Sequence, residues 1–376
     1  MPTLSYKYRI EPNKTQGAAL ADMLRDFCGL YNAGLQQRVE AYQRRGVSVG
    51  YKMQAAELKA VRCAAPELAR WSFTAEQQVL RKLDISFAAF FRRCREGKTP
   101  GFPRFKASAR YHAATFRVGD GLTIRKNGRL GFVGVPGDIK VRWHRELPSE
   151  PASAILTRQN GKWYVVFHVE VDAVERASTD GIGIDLGLTS LIALSNGETV
   201  ARPGWTKKAA KETRRRQRAI ARCKRGSKTR KQRVAALAKH HAGVANRRRD
   251  HLHRISRDLV KRFGRIGIED LNVLGLARGM LAKHVNDASW AQLAAMLEYK
   301  AASAGVELVR VDPRGTSQTC PGCGVIAAKT LAERRHRCDC GVDLDRDVAA
   351  AMVVHFLAFG FWPGSGLGSL SVPVAA

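Results

Sequence analysis

The chain has 376 residues, of which 45% are hydrophobic. That length is enough for two or three domains with cores of their own, and the apolar content excludes a disordered tail. Lys and Arg total 64 against 33 Asp and Glu, which gives a formal net charge of +31. A charge this large repels itself in a compact protein unless a polyanion neutralises it, and nucleic acid is the polyanion we expect. A membrane surface is the alternative, but no polybasic stretch is paired with an apolar anchor.

The sequence indicates neither a targeting segment nor a disulfide framework. Residues 1–12 contain no apolar core of signal-peptide length. The run 348–362 is interrupted by His355 and is shorter than the roughly 20 residues of a membrane-spanning helix, so we expect a buried helix followed by a turn. Four of the 8 cysteines are clustered and the other four are scattered singly. We therefore expect a reducing compartment, the cytoplasm or nucleoid of a prokaryotic cell.

The first third of the chain has the pattern of one strand followed by helices. Residues 1–11 alternate between apolar and polar side chains, as a strand does. Apolar residues then recur at three- and four-residue intervals, which predicts helices over 15–45, 51–62 and 74–95. The stretch 97–106 is rich in Gly and Pro and is typical of a loop.

Residues 111–175 change to short alternating runs separated by turn residues, for example at 122–125 and 163–169. This pattern predicts an antiparallel β region, a small barrel, which the first strand could join in one domain interrupted by the helices. From residue 181 onward strands alternate with helices, which predicts an α/β domain.

A strongly basic block lies within that second half. Residues 207–262 contain 22 Lys or Arg and 3 acids, so they carry more than half of the net charge. The ordinary alternative is a solvated helix face. A solvated helix mixes charge signs and gains i,i+4 ion pairs, whereas the sign here is almost uniform. The block therefore predicts helices that contact phosphate.

Three acidic residues stand where strands end or a helix begins. Asp185 and Glu269 each follow a short apolar run typical of a buried strand, and Asp347 opens a helix. Taken singly, each has an ordinary explanation as a turn former, a helix-start carboxylate or the first-turn partner of an N-cap. Taken together in a chain this basic, they predict a site for two Mg²⁺ ions that supports in-line attack on phosphate.

The clustered cysteines predict a zinc site. Cys320 and Cys323 have the two-residue spacing of a rubredoxin-like knuckle, whose thiolates reach one Zn²⁺. Cys338 and Cys340 supply the second pair with one residue between them, which leaves open that His336 replaces one thiolate. Four buried free thiols are the alternative, but the flanking sequence is polar and rich in Gly. Four protein ligands leave no open position, so we expect one structural Zn²⁺.

An ordered series of short motifs resembles the TnpB family. That family comprises transposon-encoded RNA-guided nucleases, historically described as transposases and ancestral to the Cas12 effectors. The likeness runs nearly from end to end, and the series is more specific than any one motif. The motifs are 6–10, 78–84 leading to 90–91, 101–106, 183–187, 269–272, 297–301, 316–324 and 345–348.

The resemblance implies an α+β multidomain fold. It implies a RuvC-like nuclease domain of RNase H fold split by a zinc-ribbon insertion, and a β-barrel wedge domain that carries an inserted helical recognition domain. The nuclease domain would comprise residues 180–315 and 344–376, and the zinc ribbon residues 316–343. The wedge domain would comprise residues 1–11 and 111–179, and the recognition domain residues 12–110.

The resemblance also implies roles for single residues. By position, the RuvC triad that would hold two Mg²⁺ is Asp185, Glu269 and Asp347. The last motif of the family usually reads Asp-x-Asn-Ala-Ala, and this chain has Ala349 at the Asn position, where an amide could orient the neighbouring carboxylate. Asp345 is the alternative to Asp347 as the third metal ligand.

The implied partners are a guide RNA derived from the transposon end and target double-stranded DNA that carries a short adjacent motif. No membrane and no small-molecule substrate are expected. On the helix 74–95, Gln78 and Lys82 could read base edges of the adjacent motif or simply be solvated. The residues expected to contact nucleic acid are Gln78, Lys82, Arg104, Lys106, Arg214, Arg215, Arg216, Arg218, Arg222, Lys224, Arg225, Arg247, Arg248 and Arg249.

The sequence therefore predicts Mg²⁺-dependent cleavage of DNA that is addressed by base pairing to RNA. Two other classes are an RNA-guided DNA-binding repressor without cleavage and an RNA-independent RuvC-like transposase or resolvase. Loss of a triad carboxylate would favour the repressor, and all three carboxylates are present. A defined RNA that co-purifies with the protein would separate the RNA-guided classes from the third.

Overall fold

The computed structural model describes residues 3–172, 180–276, 278–279, 282–330 and 333–363. The chain divides into an N-terminal unit, Thr3–Val171, and a C-terminal unit that begins at Asp172. The predicted wedge boundary within 173–179 and the predicted end of the nuclease domain within 364–376 lie outside the described residues.

The helices of the N-terminal unit begin and end at local signals. Asn13 caps the first helix with a capping box, since its side chain accepts from the Gln16 amide at 2.8 Å and the Gln16 side chain accepts from the Asn13 amide at 3.0 Å. Gly46, in the left-handed region, ends it. The three predicted helices are confirmed, and one additional short helix lies between the second and the last. The helices are α1 (Lys14–Arg45), α2 (Tyr51–Ala64), α3 (Pro66–Ala69) and α4 (Phe73–Arg95), and a single 3₁₀ turn follows at Ser108–Arg110.

A seven-stranded sheet forms the rest of this unit. Its strands are β1 (Thr3–Glu11), β2 (Ala113–Val118), β3 (Gly121–Ile124), β4 (Leu130–Phe132), β5 (Lys140–Arg142), β6 (Ser153–Gln159) and β7 (Lys162–Glu170). They lie in the order β4-β3-β2-β6-β7-β1-β5. Two backbone hydrogen bonds of 3.0 and 2.8 Å join Leu130 of β4 to Ile139, just before β5. The sheet is thus nearly closed, and its description as a barrel stays a prediction.

One detail of the predicted β region is wrong. The region is not wholly antiparallel, because β2 and β3 pair in parallel, with Arg117 opposite Gly121 and Val118 opposite Leu122. The chain coils tightly through residues 119–121 instead of making a hairpin, so the two short strands run in the same direction. The first strand joins the sheet as expected, between β7 and β5.

The helices and the sheet of the N-terminal unit share one hydrophobic core. Tyr8 of β1, Leu20 and Phe27 of α1, Leu83 of α4 and Phe167 of β7 belong to the same fully buried cluster. The predicted boundaries between a helical domain and a barrel fall inside this unit and stay predictions.

The C-terminal unit alternates strands and helices, as predicted for an α/β domain. The elements are β8 (Gly181–Asp185), β9 (Ser190–Leu194), β10 (Thr199–Ala201), α5 (Trp205–Ala221), α6 (Lys228–Arg262), β11 (Arg265–Glu269), α7 (Val273–Leu276), α8 (Ala282–Ala288), α9 (Trp290–Ala304), β12 (Glu307–Val311), β13 (Arg335–Arg337), β14 (Asp343–Asp345) and α10 (Arg346–Phe359). Five strands form a mixed sheet in the order β10-β9-β8-β11-β12, in which β8, β11 and β12 are parallel. The strands β13 and β14 form a separate antiparallel pair.

The two faces of the mixed sheet carry different side chains. Ile182 and Ile184 of β8 belong to a core with Leu252 of α6 and Leu297 of α9. Gly183, between the two isoleucines, points to the opposite face. A Cβ atom at Gly183 would lie 2.2 Å from the Ala351 carbonyl oxygen of α10, so α10 lies directly on the backbone of β8.

The apolar run 348–362 forms most of α10 and the turn after it, as predicted. Val348, Ala351 and Val354 are buried on the side that faces the sheet, and Gly360 ends the helix in the left-handed region. Within the described ranges, none of the helices is both long enough and apolar enough to cross a membrane.

The close approach of α10 generates a prediction about stability. Gly183→Ala should destabilise the C-terminal unit by about 3 kcal/mol or more, because the new methyl group overlaps backbone atoms that can move only with the whole helix. We expect Tm to fall by several degrees in calorimetry.

Gly243→Ala is the matched control. It lies in α6 of the same unit, and a Cβ atom there meets nothing within 4 Å. It should raise stability by about 0.5–1 kcal/mol, since alanine favours a helix over glycine. Equal Tm values for wild type and Gly183→Ala would contradict the contact between α10 and β8.

Candidate active site

Two of the predicted carboxylates lie side by side at one edge of the mixed sheet. Asp185 ends β8 and Glu269 ends β11, which is its parallel neighbour. The last registered pair of these strands is Ile184 with Ile268. Because parallel strands present their carboxyl ends at the same edge, the next residue of each strand places its carboxylate there.

The third carboxylate reaches the same edge from α10. Asp347 lies in the first turn of that helix and is partly buried. A Cβ atom at Gly187 would lie 3.2 Å from Asp347 Oδ2 and 2.8 Å from the Ser190 carbonyl oxygen. The Asp347 carboxylate therefore lies against the backbone two residues beyond Asp185, where a glycine leaves it room.

Asp345, the alternative ligand, has a different role in the structure. It is the N-cap of α10, and its Oδ1 accepts from the amides of Asp347 at 2.9 Å and Val348 at 3.3 Å. Its side chain is exposed, whereas Asp347 is partly buried. This geometry favours Asp347 as the member of the carboxylate group.

The pKa of each of the three carboxyl groups is raised. Burial raises the pKa of Asp185 well above its usual range, the charges of Glu269 and Asp347 raise it further, and Arg346 opposes them. Burial also raises the pKa of Glu269 and of Asp347. Like charges gathered in a partly buried place are costly unless a cation joins them. An all-carboxylate set of oxygen donors is the chemistry that Mg²⁺ prefers, so these residues fit a magnesium site.

The three carboxylates are less closely grouped than the ligands of one enclosed ion. Among the described His, Cys, Asp and Glu side chains, the four clustered cysteines are the one group of three or more whose ligand atoms all lie within 4.8 Å of one another. The three carboxylates do not form a group as compact as this one.

Glu269 has a hydrogen-bond partner that the sequence did not reveal. The Thr316 hydroxyl donates to Glu269 Oε1 at 2.6 Å, and both side chains are buried. This bond opposes the rise in the pKa of Glu269 that burial causes. One signal could have found it, since Thr316 closely follows β12, the parallel neighbour of β11, and thus lies at the same sheet edge.

The four predicted cysteines come together as a zinc site requires. Cys320 Sγ lies 3.6 Å from Cys340 Sγ, and Cys323 Sγ lies 3.5 Å from Cys338 Sγ. Tetrahedral Zn²⁺ with Zn–S bonds of about 2.3 Å places its sulfurs roughly 3.8 Å apart, so the four thiols fit the ion. A hydrogen bond from the Cys340 backbone, followed by those from the neighbouring thiols, lowers the pKa of Cys338 to about 7. The pKa values of Cys323 and Cys340 move the other way, so the fit of the four thiols to Zn²⁺ rests on the sulfur distances.

His336, the alternative zinc ligand, is not part of this group. It is buried, and its Nδ1 contacts the Lys329 ammonium. Burial, together with the charge of Lys329, lowers the pKa of His336. The structure therefore favours four thiolate ligands.

The cysteine segment is tied to the start of α10. Arg346, the residue before Asp347, donates from its guanidinium to the Thr330 carbonyl at 2.8 Å, and its amide donates to the Arg334 carbonyl at 2.9 Å. These bonds link the segment that carries the cysteines to the helix that delivers Asp347.

The predicted phosphate contacts in α5, in α6 and in the segment between them fall into two groups. Eight are exposed and two, Arg216 and Arg248, are partly buried. Arg248 is held by Asp287 at 3.0 Å, and the same carboxylate oxygen accepts from the Thr206 amide at the start of α5. Arg248 thus fastens α6 to α5 and α8, a role that nothing in the sequence indicated. The exposed residues are Arg214, Arg215, Arg218, Arg222, Lys224, Arg225, Arg247 and Arg249.

The predicted contacts in the N-terminal unit also differ in exposure. Lys82 and Arg104 are exposed, and Gln78 is partly buried. Lys106 is partly buried with its ammonium 3.8 Å from the centroid of the Tyr31 ring, and burial lowers its pKa. The side chain of Lys106 therefore packs within this unit, and its contact with nucleic acid stays a prediction.

Three family models match separate parts of the chain. Residues 164–280 match a model for OrfB of IS605 elements, described as "Probable transposase", and residues 290–354 match the TNB domain of Cas12f1-like proteins. Residues 1–47 match a helix-turn-helix model, but in the described part, 3–47, the structure has β1 and the one long helix α1.

Full-length relatives decide the family. A candidate RNA-guided DNA endonuclease of Streptomyces pristinaespiralis is 35% identical over 358 residues, which cover 92% of this chain and 87% of that protein. The chain belongs to the TnpB family. The family predicted from the motifs is thereby confirmed. InsQ of Escherichia coli K12, another candidate RNA-guided DNA endonuclease, is 27% identical over 281 residues, which cover 70% of this chain and 68% of InsQ.

The fold of this TnpB-family chain is similar to that of Cas12f1 in a cryo-EM structure of its complex with sgRNA and target DNA. The TM-score is 0.58 at 13% identity, with 89% of this chain and 82% of Cas12f1 covered. The chain thus has a Cas12-like fold of mixed α/β content, with a nearly closed sheet and a TNB domain that contains the cysteine group.

The sulfur geometry generates a prediction about zinc. Freshly purified protein should hold about one equivalent of Zn²⁺, and Cys323→Ser or Cys338→Ser should reduce it to well below half, because serine is a poor Zn²⁺ ligand. Metal content is measured by mass spectrometry, and protease sensitivity of residues 316–347 should rise with the loss. Cys63→Ser is the control, since Cys63 is exposed and lies in α2. Wild type with less than half an equivalent would exclude a tight zinc site.

Proposed function

We propose that this TnpB-family protein is an RNA-guided, Mg²⁺-dependent endonuclease of a transposable element, which cleaves DNA next to a short adjacent motif. The observation that carries the proposal is the convergence of Asp185, Glu269 and Asp347 at one sheet edge, each with a raised proton affinity. The names of the relatives support RNA guidance and DNA as the substrate, and the Cas12f1 complex supports guide RNA and target DNA as partners.

The carboxylates would have distinct tasks at the metal site. Asp185, which feels the charges of both other carboxylates, would bridge two Mg²⁺ ions, and Glu269 and Asp347 would complete the two shells. When bound, the ions lower the pKa of the attacking water and stabilise the leaving oxygen. The protein's part is to hold the carboxylates in place before substrate arrives, which the strand ends and the first turn of α10 do.

The rest of the protein would hold nucleic acid. In this proposal the RNA–DNA duplex is bound through its backbone, and base pairing reads the sequence. The binding surfaces are the exposed arginines of α5 and α6 and the sheet of the N-terminal unit. The N-terminal unit would comprise the wedge and recognition domains, and residues 316–343 the zinc ribbon inserted in a RuvC-like domain. Gln78 and Lys82 on α4 would read the adjacent motif.

The test begins with the RNA. The protein is expressed together with the DNA that flanks its gene, co-purifying RNA is sequenced, and the complex is offered plasmids with a matching target beside a randomised flank. Wild type should cut in Mg²⁺ and not in EDTA.

Asp185→Ala should reduce cleavage by at least about 10³-fold while target binding persists, because removing one carboxylate from a basic protein does not weaken its hold on phosphate. Glu269→Ala and Asp347→Ala should behave alike.

Asp345→Asn is the matched control for this experiment. Asparagine keeps a capping oxygen for α10 and removes the charge, so cleavage should persist near the wild-type rate. Loss of cleavage in Asp345→Asn together with activity in Asp347→Ala would transfer the ligand role to Asp345. Target binding without any cleavage would indicate a repressor, and RNA-free protein that cuts duplex DNA would indicate a transposase or resolvase.

The basic helices generate a prediction about salt. Arg214, Arg218 and the C-cap residue Arg222 are exposed and recur every four residues, so they share one face of α5 and its C-terminal end. Replacing all three by Ala should flatten the dependence of log affinity for nucleic acid on log salt by up to about three, because each lost phosphate contact releases one counterion fewer. The slope is measured by filter binding at salt concentrations from roughly 50 to 500 mM.

The neighbouring arginines are left out of this triple variant because they are ion-paired within α5. Arg215 and Arg216 each place a guanidinium nitrogen 2.7 Å from the Glu212 carboxylate. The charge-matched control is a triple Ala variant at three exposed arginines, each of which is ion-paired with an acid in the N-terminal unit, and it should leave the slope nearly unchanged. An equal effect of the two triple variants would show that overall charge, and not this face of α5, sets the slope. The control residues, all of which lie outside the sheet, are Arg25, Arg70 and Arg92.

A further inference from the structure

We infer that Thr316 is a positioning residue for Glu269, and that through it the zinc-binding segment orients the metal-binding edge of the sheet. The inference rests on the proposed function in one respect, since it takes Glu269 to be a Mg²⁺ ligand. Everything else in it follows from contacts within the C-terminal unit.

The contact between the two side chains is short and buried. The Thr316 hydroxyl lies 2.6 Å from Glu269 Oε1, and the exposed fractions of the two residues are 3% and 6%. A hydroxyl that donates to an ionised carboxylate makes a charge-assisted bond, which is about twice as strong as a neutral one. With one oxygen held, rotation of the carboxylate is restricted and its other oxygen is left for a cation.

Thr316 is itself held by a turn. The amides of Gln318 and Thr319 both donate to the Gly315 carbonyl at 2.9 Å. The Thr316 hydroxyl oxygen also lies 3.0 Å from the Pro313 carbonyl oxygen. A hydroxyl has one hydrogen to donate, so an ionised Glu269 and Pro313 compete for it, and the charged acceptor is favoured.

The turn leads directly into the zinc knuckle. Cys320 follows Thr319, and its amide donates to the Val325 carbonyl at 2.9 Å. Cys320 also faces Cys340 at 3.6 Å, within the four-thiol group. Thiolates gathered on one Zn²⁺ would fix the position of this turn, and the turn would fix Thr316. The zinc site thus acts on Glu269 through the four residues 316–319 that precede Cys320.

The expected magnitude follows from partners of metal ligands in general. Removing a group that orients a metal ligand typically costs about 10–100-fold in metal affinity or activity. Thr316→Val keeps the shape of the side chain and removes the hydroxyl. We therefore expect the Mg²⁺ concentration for half-maximal cleavage to rise by about 10–100-fold in Thr316→Val, with a smaller change at saturating Mg²⁺.

Thr319→Val is the matched control, and Thr316→Ser is the rescue. The Thr319 hydroxyl donates to the Gly315 carbonyl at 3.0 Å in the same turn but does not contact Glu269. Thr319→Val should keep the wild-type Mg²⁺ dependence, and Thr316→Ser, which keeps a hydroxyl, should stay within a few-fold of wild type. Zinc content should remain at about one equivalent in all three. The pair Thr316→Ala and Thr316→Ser repeats the comparison at smaller volume if Thr316→Val fails to fold.

A second measurement does not use DNA cleavage. Fe²⁺ takes the place of Mg²⁺ on the RNA-bound protein, and ascorbate with peroxide then cuts the polypeptide near the bound ion. Fragments that end near residues 185, 269 and 347 should require about 10–100-fold more Fe²⁺ in Thr316→Val than in wild type.

The outcomes separate this inference from the proposed function. Unchanged Fe²⁺ and Mg²⁺ dependence in Thr316→Val, in a wild type that cuts DNA, overturns the inference and leaves the function. An equal loss in Thr316→Ser also overturns it, because the hydroxyl that serine keeps would then have no part in the effect. A wild type that cuts no DNA but whose Fe²⁺ dependence shifts in Thr316→Val overturns the function and supports the inference.

Discussion

The contact between the backbones of α10 and β8 decides whether the candidate site exists. Asp185 and Asp347 are far apart in sequence, and they meet because Gly183 allows the helix to lie on the strand without an intervening side chain. A Cβ atom there would overlap the Ala351 carbonyl at 2.2 Å, so any other residue would lift α10 away and carry Asp347 with it. The parallel pairing of β8 and β11 brings Glu269 to the same edge. The packing of α10 on Gly183 and the pairing of β8 with β11 together assemble carboxylates from three distant segments.

The charges of the protein are divided between basic surfaces and one acidic site. The chain carries a net charge of +31, yet its candidate catalytic edge gathers three partly buried acids whose proton affinities are raised. This arrangement suits hydrolysis of a polyanion, because basic surfaces attract phosphate while the acidic edge attracts the cations that phosphate chemistry needs. Part of the basic block is structural, since Arg248 is bound to Asp287 and Arg216 to Glu212. The charge available for nucleic acid is therefore smaller than the count in the sequence.

Most of the elements and both candidate metal-binding groups could be predicted because their signals are local. The helices 290–304 and 74–95 follow from apolar periodicity, and the cysteine pairs follow from their spacing. The parallel pairing of β2 with β3 could not be predicted, since alternation of side chains reveals a strand but not its direction. The choice between Asp345 and Asp347 was also beyond the sequence, because both stand at the start of the same helix and only the cap geometry separates them.

The sequence by itself determined the family, most of the order of strands and helices, the cysteine cluster and the three candidate carboxylates, since each rests on local patterns along the chain. The tertiary structure alone decided which side chains contact across the chain. Thr316 meets Glu269 across 47 positions, Arg248 is taken up by Asp287, and Lys106 packs on Tyr31. Such contacts depend on how helices and strands pack, and many sequences with the same local patterns would pack these hydroxyls, acids and cations differently.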